Sequence, residues 1–195
     1  MNETERSDFE PRPRYTCCHP NAKGTGCAVR FELHPAHGRI EGSIFVTFSP
    51  QKTVGVCENG KKILPTFDWE NRVTIRLSVN EVAEMLEIFR GYREKLGDGN
   101  GLFHRTACSS TVITLEHRLE PSPGYFFGVS RKLADGELRR MGVLIAMKEA
   151  MVLSESLASA MLYMAFGVPK VISREERADD QPVQSGTETA LKEVA

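Results

Sequence analysis

Three cysteines, a histidine and a lysine lie close together near the N-terminus, in the segment TCCHPNAKGTGC. Thiolates and an imidazole can bind a metal ion, whereas a lysine among glycines can bind a phosphate. A zinc site needs four ligands, usually supplied as cysteine pairs with a spacer between them. Cys17, Cys18 and His19 are instead consecutive. We therefore expect no metal and no other cofactor, and the predicted ligand contacts of this segment are Lys23, Gly24 and Thr25.

No pattern in the sequence is typical of an enzyme. The nucleophile elbow, the Walker A sequence, the dinucleotide-binding glycines and HExxH are all missing. Ser109 and Ser110 lie near His104 in the sequence, but no third group is placed to orient the histidine as a catalytic triad requires. His104 and His117 fall in strand-like segments and are interpreted as packing or surface residues. We expect a protein without catalytic activity.

Basic and aromatic side chains alternate with the apolar residues of several strand-like segments. If the apolar residues face a core, the opposite face carries Arg30, Phe45, Arg72, Arg76, Arg118, Phe126 and Lys132. Cations neutralise phosphates, and flat rings stack on bases for about 1–3 kcal/mol each, so this combination is typical of single-stranded nucleic-acid binding. A solvated charged face with incidental aromatic residues explains the same composition equally well.

The composition is that of a soluble globular protein. The 195 residues are 41% hydrophobic and 26% charged, and no apolar run reaches the roughly 18 residues that a membrane helix needs. The N-terminal segment is acidic and contains prolines, unlike a secretory signal or a transit peptide. Five cysteines are an odd number for a disulfide framework and favour reduced thiols. We expect a cytoplasmic protein without membrane contact.

The charge distribution divides the chain into a core and two tails. The net charge is −1, which argues against a strongly basic nucleic-acid binder. Residues 1–14 and 170–195 carry a net acidic charge and few apolar groups, so we expect both tails to be disordered. Residues 15–169 carry a small basic excess, and we expect them to form a single domain.

Strand-like and helix-like patterns follow one another twice along this domain. In RVTIRLS, residues 72–78, apolar and polar side chains alternate, which predicts a strand with one buried face. Ser78 and Glu81 then form a capping box before a helix, which we expect to end near KLGDGNG, residues 95–101. The second half has three further strand-like segments and a helix closed by Gly167.

These patterns predict an α+β fold with about eight strands and two helices. We expect a duplicated four-strand-plus-helix unit, with repeats at about 22–96 and 101–168, and two antiparallel sheets with the helices packed between or below them. The second helix is apolar around most of its circumference, which predicts burial on more than one side. A partner subunit is one explanation, and complete burial within a single chain is the other.

Four short motifs follow one another along the predicted domain: FDWENRVTIRLSVNEV at residues 67–82, LFH at 102–104, PSPGYFFGVS at 121–130 and MLYMAFG at 161–167. The motifs and their order resemble the Whirly family of single-stranded DNA-binding proteins. The first has the family's Asp-Trp pair, basic residue, strand and Leu-Ser-Val. The resemblance spans roughly residues 22–168 and agrees with the duplicated architecture.

The resemblance implies binding of single-stranded DNA with low sequence specificity, in DNA protection, repair, recombination or transcription control. It also implies a homotetramer that assembles through the helices, and it adds Trp69 to the predicted nucleic-acid contacts. KGTGCAV, residues 23–29, is similar to the family's Lys-Gly-Lys-Ala-Ala-Leu motif, but Thr25 and Gly26 replace the second lysine. The hairpin expected at Asn59 and Gly60 is an insertion relative to the family.

Two other functions remain open at this point. RNA is an alternative ligand, because a sheet that stacks bases does not by itself distinguish the 2′-hydroxyl. An oligomeric adaptor that binds no nucleic acid is the second, and it would explain the near-neutral charge.

Overall fold

The computed structural model describes residues 12–58, 60–120 and 122–168. The predicted disordered tails lie outside these residues, apart from the short stretch that leads into the first strand. The strands are β1 Arg14–His19, β2 Cys27–His34, β3 Ser43–Pro50, β4 Val56–Glu58, β5 Lys61–Ile63, β6 Val73–Leu77, β7 Leu102–Arg105, β8 Ser109–Arg118, β9 Gly124–Leu133 and β10 Leu138–Ala146. The helices are α1 Val79–Phe89 and α2 Met147–Phe166.

The strands form two four-stranded antiparallel sheets, each followed in the chain by one helix. The first sheet has the order β1-β2-β3-β6 and the second β10-β9-β8-β7, while β4 and β5 pair only with each other. The predicted α+β class is confirmed. The first sheet begins at Arg14, upstream of the start near residue 22 that the repeat pattern indicates.

The core lies between the two sheets. Phe127 of β9 is fully buried and packs against Phe31 of β2 and Phe48 of β3, with ring centroids 5.7 and 5.0 Å apart. Since side chains along a strand alternate between faces, these contacts fix which residues of each sheet point inward. At the edge, Arg131 of β9 donates to the Thr74 carbonyl of β6 at 2.7 Å and ties the sheets together. The two outer faces therefore point away from each other.

Helix α1 begins where the sequence predicts. Ser78 Oγ accepts a hydrogen bond from the Glu81 amide, and the Glu81 carboxylate accepts one from the Ser78 amide at 2.7 Å. The predicted end near residues 95–101 is wrong, because α1 stops at Phe89. Gly91 adopts φ 76° and the Tyr92 amide donates to the Glu87 carbonyl at 2.8 Å, which is a Schellman termination.

Helix α2 is closed by Gly167 as predicted, and within the single chain it is buried along one side. Five of its residues are buried in the core, Ala158 and Met161 are half-buried against it, and its other apolar residues are exposed. The most exposed are Phe166 at 83%, Met151 at 71% and Leu162 at 59%. Neither helix in the described part of the chain is long and apolar enough to span a membrane.

Each helix is tied at its N-terminus to the opposite repeat. Glu81 of α1 contacts Nε2 of His104 on β7 at 2.5 Å. Glu149 of α2 contacts Nε2 of His19 on β1 at 3.0 Å and accepts from the Ala146 amide at 3.0 Å. In both repeats the glutamate in the first helical turn thus contacts a histidine from the first strand of the other repeat, and the contact of Glu81 with His104 has hydrogen-bond geometry while that of Glu149 with His19 does not.

Candidate nucleic-acid interface

The outer face of the first sheet, called here the first outer face, carries five of the predicted residues. Arg30, Phe45 and Arg76 lie on β2, β3 and β6, and their neighbours in each strand are core residues. Phe45 pairs directly with Arg76 across the strands, and Arg30 lies in the adjacent row. The loop before β6 adds Trp69 and Arg72, which lie at one end of this face.

Arg30 stacks on Trp69 without a charged partner. Its guanidinium carbon lies 4.0 Å from the centroid of the indole ring. Among the described residues Arg30 makes no hydrogen bond and no ion pair, and its Nε atom is buried. A cation–π contact leaves the guanidinium charge un-neutralised. The pair therefore presents a flat surface and a free positive charge together.

The position of Trp69 is fixed by its loop. The Asp68 amide donates to the Pro50 carbonyl at 2.8 Å, and the Asp68 carboxylate accepts from the side chain of Asn71 at 2.7 Å. The Asn71 hydrogen bonds lower the pKa of Asp68, so the carboxylate holds this turn over a wide pH range. Arg72 Nη1 donates to the Trp69 carbonyl at 2.6 Å. The indole is thus pre-positioned over the first outer face.

Phe45 is half-buried beside another ring. Its centroid lies 4.2 Å from that of His34, whose Nε2 contacts Glu32 at 2.9 Å. Arg76 donates only to the Glu41 carbonyl, at 3.2 Å, so no carboxylate of the described residues neutralises it. Phe45 thus lies between Glu32 and Arg76 across the strands, with Arg30 in the adjacent row.

The Lys23 loop is a hydrogen-bonded turn rather than the flexible loop that its glycines indicate. Asn21 Oδ1 accepts from the amides of Lys23 and Thr25, both at 3.0 Å. The largely buried Gln51 accepts from the amides of Asn21 and Gly26, at 2.8 and 3.0 Å. A Cβ at Gly26 would lie 2.4 Å from the Gln51 side chain, so this glycine provides space. The Lys23 side chain is exposed at the tip.

The remaining predicted residues lie on the opposite side of the molecule. Phe126, Arg118 and Lys132 belong to the outer face of the second sheet, called here the second outer face. A single continuous surface that contains both phenylalanines is therefore not what forms. The physical reason is Phe127, which faces inward and turns Phe126 away from the first sheet.

Phe126 is covered on both sides of its ring. It lies over Gly128 and Gly142, where a Cβ would come within 3.1 and 2.6 Å of ring atoms. Arg118 stacks on the other side at 4.0 Å and also forms an ion pair with Glu116. Hydrogen bonding to Arg118 is the main cause that lowers the pKa of Glu116. The guanidinium charge of Arg118 is therefore neutralised within the second outer face, unlike that of Arg30.

Three further residues of the second outer face cannot be recognised from the sequence pattern. Phe103 is 62% exposed, and Arg105 and Arg140 are exposed on the same face. Strand β7 is only four residues long, so its alternation is too short to recognise. Strand β1 was missed as well, because its alternating residues include polar groups and thiols.

The cysteines are separated by the strand geometry. Cys17 faces the core and Cys18 is exposed on the other face of β1. Burial raises the pKa of Cys17 and of Cys27 to about 11, which keeps both thiols protonated. In the ranges 12–58, 60–120 and 122–168, no three His, Cys, Asp or Glu side chains are grouped so that they could hold a metal ion.

No protein-family model matches this sequence, and no curated protein matches it either. Solved structures do match the fold. WHY1 from Arabidopsis thaliana is 19% identical, with a TM-score of 0.60 over 79% of this chain and 88% of its own. WHY3 from the same plant is also 19% identical, with a TM-score of 0.56 over 80% of this chain and 92% of its own. The fold is the Whirly fold.

The Whirly fold accounts for the duplicated sheet-and-helix plan. At 19% identity the similarity establishes the architecture.

Proposed function

We propose that this protein binds single-stranded DNA, with little sequence preference and without catalysis, through the first outer face. Such binding would serve DNA protection, repair, recombination or transcription control. The Whirly fold supports this assignment at the level of architecture, and the stacked Arg30 and Trp69 support it at the level of chemistry.

The proposal rests on Arg30, which stacks on the indole of Trp69 and forms no ion pair among the described residues. A stacked guanidinium is pre-positioned, and a charge that no protein group neutralises is available to a phosphate. Arg72 and Arg76 donate only to backbone carbonyls, and the Lys23 side chain is exposed, so all four cations can contribute in the same way. The indole and Phe45 supply flat surfaces for bases.

Fluorescence anisotropy with a labelled oligonucleotide of about 30 nucleotides tests the proposal. At about 100 mM salt we expect clearly tighter binding to the single strand than to the duplex of the same sequence. Comparable weak binding to both would contradict it. Arg30→Lys is the informative variant, because it keeps the charge and removes the planar stacking group.

RNA is the second candidate ligand for the same face. Nothing among the contacts of Arg30, Trp69 or Phe45 selects for the presence or absence of a 2′-hydroxyl. Competition between DNA and RNA of one sequence separates the two. An adaptor that binds only protein would instead form oligomers with no salt-dependent affinity for any nucleic acid.

We also propose that the protein is a homo-oligomer, with the tetramer as the expected size. Met151, Leu162 and Phe166 of α2 are more than half exposed in the single chain, and several large exposed apolar side chains on one helix are typical of an interface. Size-exclusion chromatography with light scattering tests this. A monomer at micromolar concentration would contradict it.

A further inference from the structure

The hairpin formed by β4 and β5, called here the arm, is the part of the molecule that the duplicated plan does not explain. It lies between β3 and β6, whereas the corresponding strands of the second repeat, β9 and β10, are joined by the short turn of residues 134–137. Val56 pairs with Ile63, and Glu58 pairs with Lys61. Asn59, at the predicted turn, lies outside the described residues.

The arm adds almost nothing to the core. Every described residue from 52 to 64 is exposed, including Val54 at 39%, Ile63 at 49% and Leu64 at 66%. An isolated two-stranded hairpin is only marginally stable in water. A segment that exposes apolar side chains and contributes little burial is better explained by contact with a ligand than by folding.

The base of the arm is fixed beside the Lys23 turn. The hydroxyl groups of Thr53 and Thr66 are hydrogen-bonded at 2.9 Å, and the Lys52 amide donates to the Thr66 carbonyl at 2.7 Å. Gln51, which holds the Lys23 turn, also donates to the Thr53 carbonyl at 3.0 Å. The arm and the Lys23 turn therefore lie at the same end of the first sheet.

The charge of the arm is complementary to a phosphate chain. Lys52, Lys61 and Lys62 outnumber the single carboxylate of this segment, Glu58. Within the described residues, Lys61 and Lys62 form no ion pair and no hydrogen bond through their side chains. Two unpaired ammonium groups beside exposed apolar residues suit a strand that offers phosphates and bases together.

We propose that the arm binds the single strand where it leaves the first outer face past the Lys23 turn, with Lys61 and Lys62 on phosphates and Ile63 and Leu64 against bases. This inference rests on the proposed function. It predicts a longer binding site than the first outer face alone provides.

The test compares the full-length protein with K61A/K62A by anisotropy on the same oligonucleotide of about 30 nucleotides, across a salt series. Each lost phosphate contact lowers the slope of log affinity against log salt by about 0.7 for a single strand. The slope of the double variant should therefore be smaller by about 1.4, and its affinity at 100 mM salt should be lower on the order of tenfold. R90A/K148A removes the same charge from exposed positions at the end of α1 and in the first turn of α2, and it is expected to bind like the unaltered protein.

Wild-type affinity and salt slope in K61A/K62A would overturn the inference, and that is also the result expected if the arm serves a protein partner or a second copy. An equal loss in R90A/K148A would overturn it too, because net charge alone would then explain the effect. Failure of the unaltered protein to bind the oligonucleotide at all would instead contradict the proposed function. Circular dichroism of both variants confirms that they are folded.

Discussion

Each outer face carries one arginine stacked on an aromatic ring, and the two pairs differ in what surrounds them. Arg30 on Trp69 and Arg118 on Phe126 have the same separation of 4.0 Å. Glu116 forms an ion pair with Arg118, and two glycines lie next to the ring of Phe126. Arg30 forms no ion pair with a carboxylate of the described residues. The same contact is thus neutralised by a carboxylate in one repeat and keeps its positive charge in the other.

The source of the difference is the connection before the last strand of each sheet. In the first repeat this connection spans residues 51–72 and brings both the arm and Trp69 to the outer face. In the second repeat it is the four-residue turn 134–137, which brings no ring. A duplicated scaffold has therefore acquired different surface chemistry through one loop.

Phe127→Ala should have the largest effect on stability. Its cost should show that Phe127 faces the core, whereas Phe126 lies on the second outer face. Removing a fully buried phenylalanine shared by both sheets should cost about 3–5 kcal/mol of unfolding free energy. Phe126→Ala should cost clearly less, because its ring packs on an outer face. Urea unfolding measures both. Equal costs would contradict the placement of Phe126.

Trp69→Ala and Phe126→Ala should differ in binding. Loss of a stacking ring beside a guanidinium that forms no ion pair should weaken single-strand binding by about 1–3 kcal/mol. Phe126 lies beside an arginine that is neutralised by Glu116, so its removal should change affinity far less. Anisotropy titrations of the two variants decide the matter, and a greater loss for Phe126→Ala would move the interface to the second outer face.

Ser78→Ala should distinguish the two helix starts. The loss of its cap should cost about 1 kcal/mol, since Ser78 is hydrogen-bonded to Glu81 at the start of α1. Helix α2 starts at Ala146, which has no side-chain cap to lose. Ala146→Ser should therefore be neutral or slightly stabilising. Thermal unfolding provides the comparison, and destabilisation by both variants would refute it.

Glu81→Gln should change the acid side of the stability profile. Burial acts to raise the pKa of Glu81, but the hydrogen bonds from His104 and Ser78 outweigh it, so the pKa lies below its usual value. A lowered folded-state pKa stabilises the protein above the ordinary glutamate value of about 4.3, and this stabilisation is lost as the pH falls through the folded value.

The variant should show a smaller loss of stability than the unaltered protein between about pH 6 and about pH 3.5 in urea unfolding. Glu155→Gln, at an exposed position of α2, is the matched control. An unchanged acid dependence in Glu81→Gln would show that the carboxylate is not held as described.

Local patterns in the sequence predicted the elements better than their arrangement. The alternation of Val73, Ile75 and Leu77 and the capping box at Ser78 each depend on a few neighbouring residues, and both proved correct. The end of α1 depends on a Schellman turn at Gly91, which the glycine cluster further along the chain obscured. Composition alone marks several glycines and does not say which one adopts the left-handed conformation.

The site was predicted in part for a similar reason. Alternation identifies residues that share a strand face, so Arg30, Phe45 and Arg76 were correctly placed together. It does not show how two sheets face each other, and for that reason Phe126 was assigned to the same surface. That division depends on the packing of Phe127 against β2 and β3, which is a long-range contact.

The histidine contacts at the helix N-termini make the two halves of the chain depend on each other. Glu81 depends on a strand from the second half and Glu149 on a strand from the first, so neither half contains its own partner. An isologous dimer closes in this manner, with the same contact made twice in opposite directions. The two halves of the chain therefore contact each other like the subunits of such a dimer, and one half alone would lack both histidine contacts.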